Sequence, residues 1–330
     1  MKKDLKKILD HSKISEWSKK VITDYIPENT KRSIDISVKY FIGWCEAVGI
    51  KLEEMSFKKN IIAFISHHVE EMPKIVEDEL IKKGIKKNLY QWKFSTMMTK
   101  LYNLKTYLKQ WNIELPLNDV EISTLLKRLR RKNITLSKRQ AILKEMLLDM
   151  IDTCSDDKII DLRDKALLLF GFCSGGRRRS EISSAKIENI KMMGNECMYK
   201  IEKSKTDQEG KGMFVPIKGK AFECINKWLK TLNQRKGPLF RSIRKNGSIS
   251  SLGLTPQEIN RIVKKRAKMA GYDEKFFSAH SLRYGFVTEG GRRNINIRDI
   301  MDMTGHKSLT IAMNYYKSAS NLNNPAADLF

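Results

Sequence analysis

The chain has 330 residues, 41% of them hydrophobic, enough for more than one packed core and, as a soft expectation, two domains. Lys and Arg number 63 against 38 Asp and Glu; the formal net charge of +25 is spread along the whole length, which favours a globular protein with polyanion-binding faces over a disordered basic arm. A membrane span is excluded by the longest apolar run (166–173), a secretory signal by the basic, unsupported start MKKDLKK, and a Cys-rich zinc site by five cysteines that stand singly; a reducing cytosol is the expected setting.

Residues 1–132 read as helical. Ile34, Val38, Phe41, Ile42, Cys45 and Val48 recur at helical spacing, with Thr30 as cap and Gly49 as stop. The pair His67-His68 reads as ordinary surface or packing residues, since adjacent helical positions diverge. Met97, Leu101, Leu104, Leu108 and Trp111 repeat the stripe after Ser95, Pro116 breaks the chain, and a short helix fits 120–129. From 127 to 140 there is no acid. Lys127, Arg128, Arg130, Arg131, Lys132, Lys138 and Arg139 read there as a basic connector lying along a phosphate backbone. The expected divisions are 1–132 as a helical core DNA-binding domain, 133–139 as a basic linker, and 140–330 as a catalytic domain with a C-terminal tail. The first helices begin within a few residues of the start, leaving little room for a further DNA-binding module ahead of them.

In the second region, helices fit 141–151 and 162–173. Short alternating segments at 187–191, 197–202 and 213–217, separated by Gly194 and Gly210/Gly212, fit a small antiparallel sheet. Thr255-Pro256-Gln257-Glu258 carries the cap, the N1 proline and the N3 glutamate of a helix that should stop at Gly271. Ser278 should cap a helix carrying His280 and Arg283, which Gly290-Gly291 should end. Gly305 should end another helix, and Ser308 should cap the one holding Tyr315.

The chemistry-bearing residues fall in this second region. Cutting a phosphodiester without metal requires a clamp on the non-bridging oxygens, a positioned nucleophile and a proton for the leaving oxygen. Arginines supply bidentate donors, His and Lys move protons, and a tyrosine supplies a nucleophilic oxygen. Arg177-Arg178-Arg179-Ser180-Glu181, Lys203-Ser-Lys205-Thr206, His280-Ser-Leu-Arg283, and Gly305-His306 with Tyr315 nine places later offer all of these.

In this order and spacing, the set resembles the signature of the tyrosine recombinase (phage integrase) family, and 310–315 resembles its Cre-like members. The resemblance implies a mainly α fold with a small antiparallel β-sheet, arranged as a two-domain clamp of a helical core-binding domain and a mixed α/β catalytic domain. It implies Arg178 and Arg283 as the phosphate clamp, His280 as a proton-transfer group, Lys205 as general acid for the 5′-hydroxyl, His306 as a hydrogen bond to the phosphate, Glu181 as a carboxylate that orients catalytic side chains, and Tyr315 as the nucleophile forming a 3′-phosphotyrosine. The Arg-x-x-Glu spacing picks Arg178, leaving Arg177 and Arg179 for backbone phosphates or solvent. Lys203 competes with Lys205, and the spacing from His306 favours Tyr315 over Tyr316. The resemblance further implies double-stranded DNA as partner, a homotetramer on two sites joined through exchange of the 317–330 tail, a Holliday junction, no cofactor or metal, and a cytoplasmic protein that is with the nucleoid when bound to DNA. The rivals are type IB topoisomerase-like DNA relaxation, a non-catalytic DNA-binding protein, and a metal-dependent transposase.

Overall fold

A computed structural model describes residues 26–86, 91–132, 139–202 and 212–320, with side chains given up to Tyr316. It is mainly α-helical with small antiparallel sheets, and it divides into two compact units, Met1–Leu136 and Ser137–Phe330.

The first unit is built from α1 (Glu28–Val48), α2 (Lys58–Val69), α3 (Lys74–Lys82), α4 (Phe94–Lys109) and α5 (Val120–Lys132). α1 starts two residues before Thr30. Pro27 occupies the cap position, its carbonyl accepting from the Thr30 and Lys31 amides. The helix stops at Gly49, which takes the left-handed φ of 79° that a side chain would resist. The stripes read from the sequence form the core, with Phe41, Trp44, Phe64, Met97, Leu101 and Leu104 buried.

The two histidines pack rather than face water. His68 is buried, stacks on Trp92 at 4.1 Å and joins the Tyr40 hydroxyl at 2.9 Å, and burial pushes its imidazole down to about 3. His67 accepts from the Trp44 indole N–H. The basic run that reads as an irregular connector begins as helix. Ile122, Leu126 and Leu129 bury one face of α5, while Lys127, Arg128, Arg130, Arg131 and Lys132 are exposed around its end.

The second unit opens with α6 (Lys144–Asp152), shorter than its apolar pattern suggests. Gln140 and Ile142 instead give their amides to the carbonyls of Phe276 and Ser281. α7 (Ile159–Cys173) is apolar on nearly all sides because it runs through the core, with Ala166, Leu167, Leu168 and Phe170 fully buried or nearly so. α8 (Arg179–Ser183) leads by a short 3-10 turn into β1 (Ile190–Met193), β2 (Glu196–Ile201) and β3 (Met213–Lys218). These pair antiparallel in sequence order, with Ile190 opposite Tyr199 and Ile201 opposite Met213. Cys197, Tyr199, Ile201, Val215 and Ile217 all turn to the core. α9 (Gly219–Leu232) packs on α7. A second hairpin, β4 (Arg241–Ile243) with β5 (Ile249–Gly253), precedes α10 (Pro256–Met269). α10 starts as its sequence dictates: the Thr255 hydroxyl accepts from the Glu258 amide, and the Glu258 carboxylate accepts from the Thr255 amide at 2.7 Å.

Buried charge ties α10 to α7. Arg266 is fully buried and donates to Asp164 at 2.8 Å and to Asp161, and Arg163 donates to the other oxygen of Asp164. Removing one partner of such a group would strand a desolvated charge.

α11 (Ala279–Arg292), α12 (Ile297–Thr304) and α13 (Leu309–Ser320) complete the unit. α11 does not stop at Gly290-Gly291. It continues to Arg292, and both glycines are buried because other elements come too close for a side chain. A Cβ on Gly291 would lie 2.6 Å from the carbonyl oxygen of Tyr316 on α13. The Tyr316 hydroxyl donates to the Ile295 carbonyl at 2.9 Å, so this tyrosine pins α13 against the end of α11. Gly305 ends α12 at φ 68°. No described helix is long and apolar enough to cross a membrane.

Gly291→Ala should force α11 and α13 apart and lower the unfolding free energy by about 1–3 kcal/mol, the usual scale of overpacking. Denaturant unfolding of the variant measures this, and wild-type stability would show that α13 yields without loss.

Candidate active site

α7 ends in Ser174-Gly175-Gly176-Arg177-Arg178. Gly175 and Gly176 take φ values of 97° and 66°, and a Cβ on Gly176 would lie 2.5 Å from the Cα of Arg283. The glycines therefore let this loop touch the backbone of α11, which sets Arg178 beside Arg283. Arg178 sits at the cap of α8. Glu181, one turn on, accepts from the Arg178 backbone amide at 3.1 Å and from its guanidinium at 2.6 Å. The Arg178 side chain keeps about a fifth of its surface open, and Glu181 is nearly closed off (21% and 7% exposed).

Arg283 is buried. It donates Nη1 to the Gly176 carbonyl at 3.0 Å and Nε to His306 Nε2 at 3.3 Å. Its Nη2 is buried and has no hydrogen-bond partner among the described residues. A buried guanidinium donor left open is costly unless an acceptor arrives to fill it. Burial first, then repulsion from Arg178 and Arg177, pushes the group down to about 9, so it stays cationic at neutral pH.

His280, Arg283 and Tyr284 occupy i, i+3 and i+4 on α11 and so share a face. The start of that helix is held by two side chains: the Ser278 amide donates to Ser281 Oγ, and the Ala279 amide to Asn260 Oδ1 of α10 at 3.0 Å. His306 follows the Gly305 stop. Arg283 can only donate, so His306 Nε2 must accept, and its Nδ1 then carries the proton toward Thr304 Oγ1 at 2.8 Å. Burial and the neighbouring arginines, Arg283 first, push both His280 and His306 down to about 4. Both imidazoles are therefore neutral near pH 7.

Tyr315 lies on α13 and is only partly covered. Its ring stacks on Tyr284 at 4.1 Å and 20°, and Tyr284 in turn meets the His280 ring edge-on at 4.4 Å. Burial, followed by a hydrogen bond to the Tyr284 side chain, raises the Tyr315 phenol above its ordinary range. The phenol is thus held protonated at neutral pH.

Of these groups, Arg178, His280 and Tyr284 line a cavity of about 580 Å³, together with Arg139, Arg179, Asn260, Lys264, Lys275 and Ser278 among others. Its cationic lining includes no carboxylate. Of the residues singled out by sequence, Arg178, Glu181, His280, Arg283 and His306 come together, Tyr315 joins them through Tyr284, and Arg139 lines the same cavity. Lys127, Arg128, Arg130, Arg131 and Lys132 belong to the first unit. Lys138, Lys203 and Lys205 lie outside the described residues.

One expectation is overturned. Arg177 does not face solvent or a phosphate path: it is 1% exposed and donates to the carbonyls of Gly175 and Met303. The sequence reading also missed Tyr284, Thr304, Asn260, Lys264 and Lys275. Tyr284 carried a usable signal, four residues after His280 on the same helix; the others are brought in only by tertiary folding. Among the described residues, no group of three His, Cys, Asp or Glu is placed to hold a metal ion.

A family model, that of the phage integrase family, matches residues 140–321. An integrase/recombinase xerD homolog of Selenomonas ruminantium is 32% identical over 212 residues, covering 62% of this chain and 62% of that protein. A tyrosine recombinase XerA of Pyrococcus horikoshii is 30% identical over 157 residues, covering 48% and 51%. The chain thus spans between half and two thirds of the length of these relatives. A crystal structure of a lambda integrase fragment, a dimer bound to a COC′ core site, superposes with a TM-score of 0.57 at 14% identity, covering 91% of this chain and 92% of that one. At that identity the likeness concerns the fold.

Glu181→Gln would leave the surrounding guanidiniums without their carboxylate. Loss of one partner from a buried ionic group costs about 3–5 kcal/mol, so denaturant unfolding should show the variant strongly destabilised. Unchanged stability would mean that the carboxylate does not hold the cluster.

Proposed function

Since the chain belongs to the phage integrase family, we propose that it is a site-specific DNA recombinase that cleaves and rejoins strands through a phosphotyrosine. The observation that carries this reading is the buried Nη2 of Arg283, unpartnered among the described residues, beside Arg178: two guanidiniums able to donate to one anion. A scissile phosphate seated there would receive donors from both guanidiniums. That preorganised charge would stabilise the phosphorane as negative charge gathers on the non-bridging oxygens.

Tyr315 would leave Tyr284, attack phosphorus and form the 3′-phosphotyrosine, while the bond to the 5′-oxygen breaks. Neutral His280 can accept the phenolic proton, and Lys205 is the proposed donor to the departing 5′-oxygen. His306 cannot donate to the phosphate from Nε2 while that atom accepts from Arg283; arrival of an anion would draw a proton onto it. The phosphotyrosine conserves the bond energy, and attack by a 5′-hydroxyl from a second duplex would exchange strands through a Holliday junction. No step calls for a metal.

Both units would bind the duplex. The exposed cations at the end of α5 and those of the cavity would contact phosphates along the backbone. Of the expected 317–330 tail, residues 317–320 continue α13 and 321–330 lie outside the described residues. Strand exchange calls for four copies on two sites, held together by exchange of that C-terminal tail. An apolar groove of about 460 Å³ with Leu147, Leu148, Leu169, Phe172, Phe286 and Ile300 in its lining supports this, as a seat for the apolar end of a neighbour's tail.

Two experiments test the reading. DNA recovered bound to the protein, nicked to trap the intermediate and assayed in EDTA, should yield a covalent adduct with wild type and none with Tyr315→Phe, which should still bind. An adduct in the variant would reject Tyr315 as nucleophile, and DNA binding without any wild-type adduct would favour a non-catalytic binder. Replacing Arg130 and Arg131 by Ala should weaken binding and flatten the slope of log K against log salt by about 0.9 for each phosphate no longer neutralised. An unchanged slope would remove the end of α5 from the interface.

A further inference from the structure

We propose that Arg177 is a positioning residue for the active site: its guanidinium braces the turn that carries His306 against the loop that carries Arg178, and it adds a third positive charge behind the phosphate cradle.

Its place is determined by its hydrogen bonds. Arg177 immediately precedes Arg178 in sequence but is directed the opposite way, into the protein. Its Nη2 donates to the Gly175 carbonyl at 3.1 Å and to the carbonyl of Met303 on α12. Met303 lies three residues before His306, with Thr304, which fixes the His306 ring, between them. A side chain on Gly175 would strike both the Met303 carbonyl and the Arg177 guanidinium, at 2.1 and 2.6 Å. Arg177 therefore ties the loop to the helix end at a point where their backbones already approach closely.

A brace of this kind does not need a charge, yet a charge is present. Glu181 bonds Arg178 closely and stands 3.8 Å from Arg177 Nη1. Among the described residues, the three guanidiniums of Arg177, Arg178 and Arg283 thus share one carboxylate, and the Nε of Arg177 is buried without a partner. A fold selected only for stability would favour an apolar side chain at such a site. Burial pushes Arg177 down to about 10, which leaves it charged at neutral pH.

The uncompensated charge acts on the imidazoles. His306 faces Arg283 and His280 of α11, Arg178 and Arg177 of the loop, and Thr304 of α12. His280 faces Arg283, Arg178, Arg139 and Tyr284, with Glu181 as the opposing acid. Arg177 thereby helps keep His306 neutral until an anion enters the cradle and offsets its field.

The role rests on the recombinase reading only for the nature of that anion, and the test contains no DNA. The full chain has five histidines, so NMR of the ring Cε1–H signals against pH resolves each one, with His67 and His68 of the first unit as internal controls. Wild-type His306 should titrate near 4. Arg177→Gln, which keeps donors but loses the charge, should raise that midpoint by a few tenths of a pH unit, up to about half a unit, the scale of one well-screened charge that ranks behind burial, Arg283, Arg178 and His280. Arg177→Lys should return it close to wild type, and the controls should not move. A wild-type midpoint near that of an unperturbed histidine would overturn the proposal without any variant having to fold. So would an unmoved midpoint in a folded Arg177→Gln, even if its melting temperature fell, because a purely structural brace would give that result. Failure of the recombinase reading would appear separately, as the lack of a Tyr315 adduct.

Discussion

The second unit depends on a charge imbalance that it cannot relieve by itself. Two buried arginines and one partly exposed arginine crowd around Glu181, and a donor of Arg283 finds nothing to bond among the described residues. In a low-dielectric interior, such a group is costly unless the surrounding structure is rigid enough to hold it. The rest of the unit supplies that rigidity. α7 anchors the Arg178 loop in the core, and the Arg266–Asp161–Asp164 group fixes α10 on α7. α10 in turn holds the start of α11 through Asn260. The strain is therefore localised where an anion would relieve it, a pattern expected of a functional site and not of a packing error.

Close backbone approach makes the cluster possible. Gly176 against Arg283, Gly175 against Met303 and Gly291 against Tyr316 are three places at which any side chain would collide. Each brings together segments far apart in sequence: the end of α7 with α11, the same loop with α12, and α11 with α13. The precision of the site thus comes from places where side chains are missing, while the helices around them stay conventional.

This bears on what could be read from the sequence. The fold class, the three-stranded sheet and the Thr255 capping box were legible because each rests on local periodicity or a local hydrogen bond. Gly290-Gly291 looked like a stop because glycine ends helices far more often than it lets one helix press on another, and only the position of Tyr316 decides between the two. β4 and β5 are too short, three and five residues, to show a period. Arg177 is the sharpest case. In a row of three arginines beside a glutamate, periodicity separates their directions but cannot say which direction is inward. That depends on α12, more than a hundred residues later. The helix read over 120–129 runs three residues further, into the basic run, because Leu129 still belongs to its buried face.

The resting chemistry follows from the same imbalance. Burial first, and then the positive field that would grip a phosphate, keep His280 and His306 neutral. Tyr315, meanwhile, is held by Tyr284 in a setting that favours the protonated phenol. His280 and Tyr315 are separated by the Tyr284 ring, which touches both. Tyr284 also lines the cationic cavity, so a backbone entering there would press on the residue that restrains Tyr315.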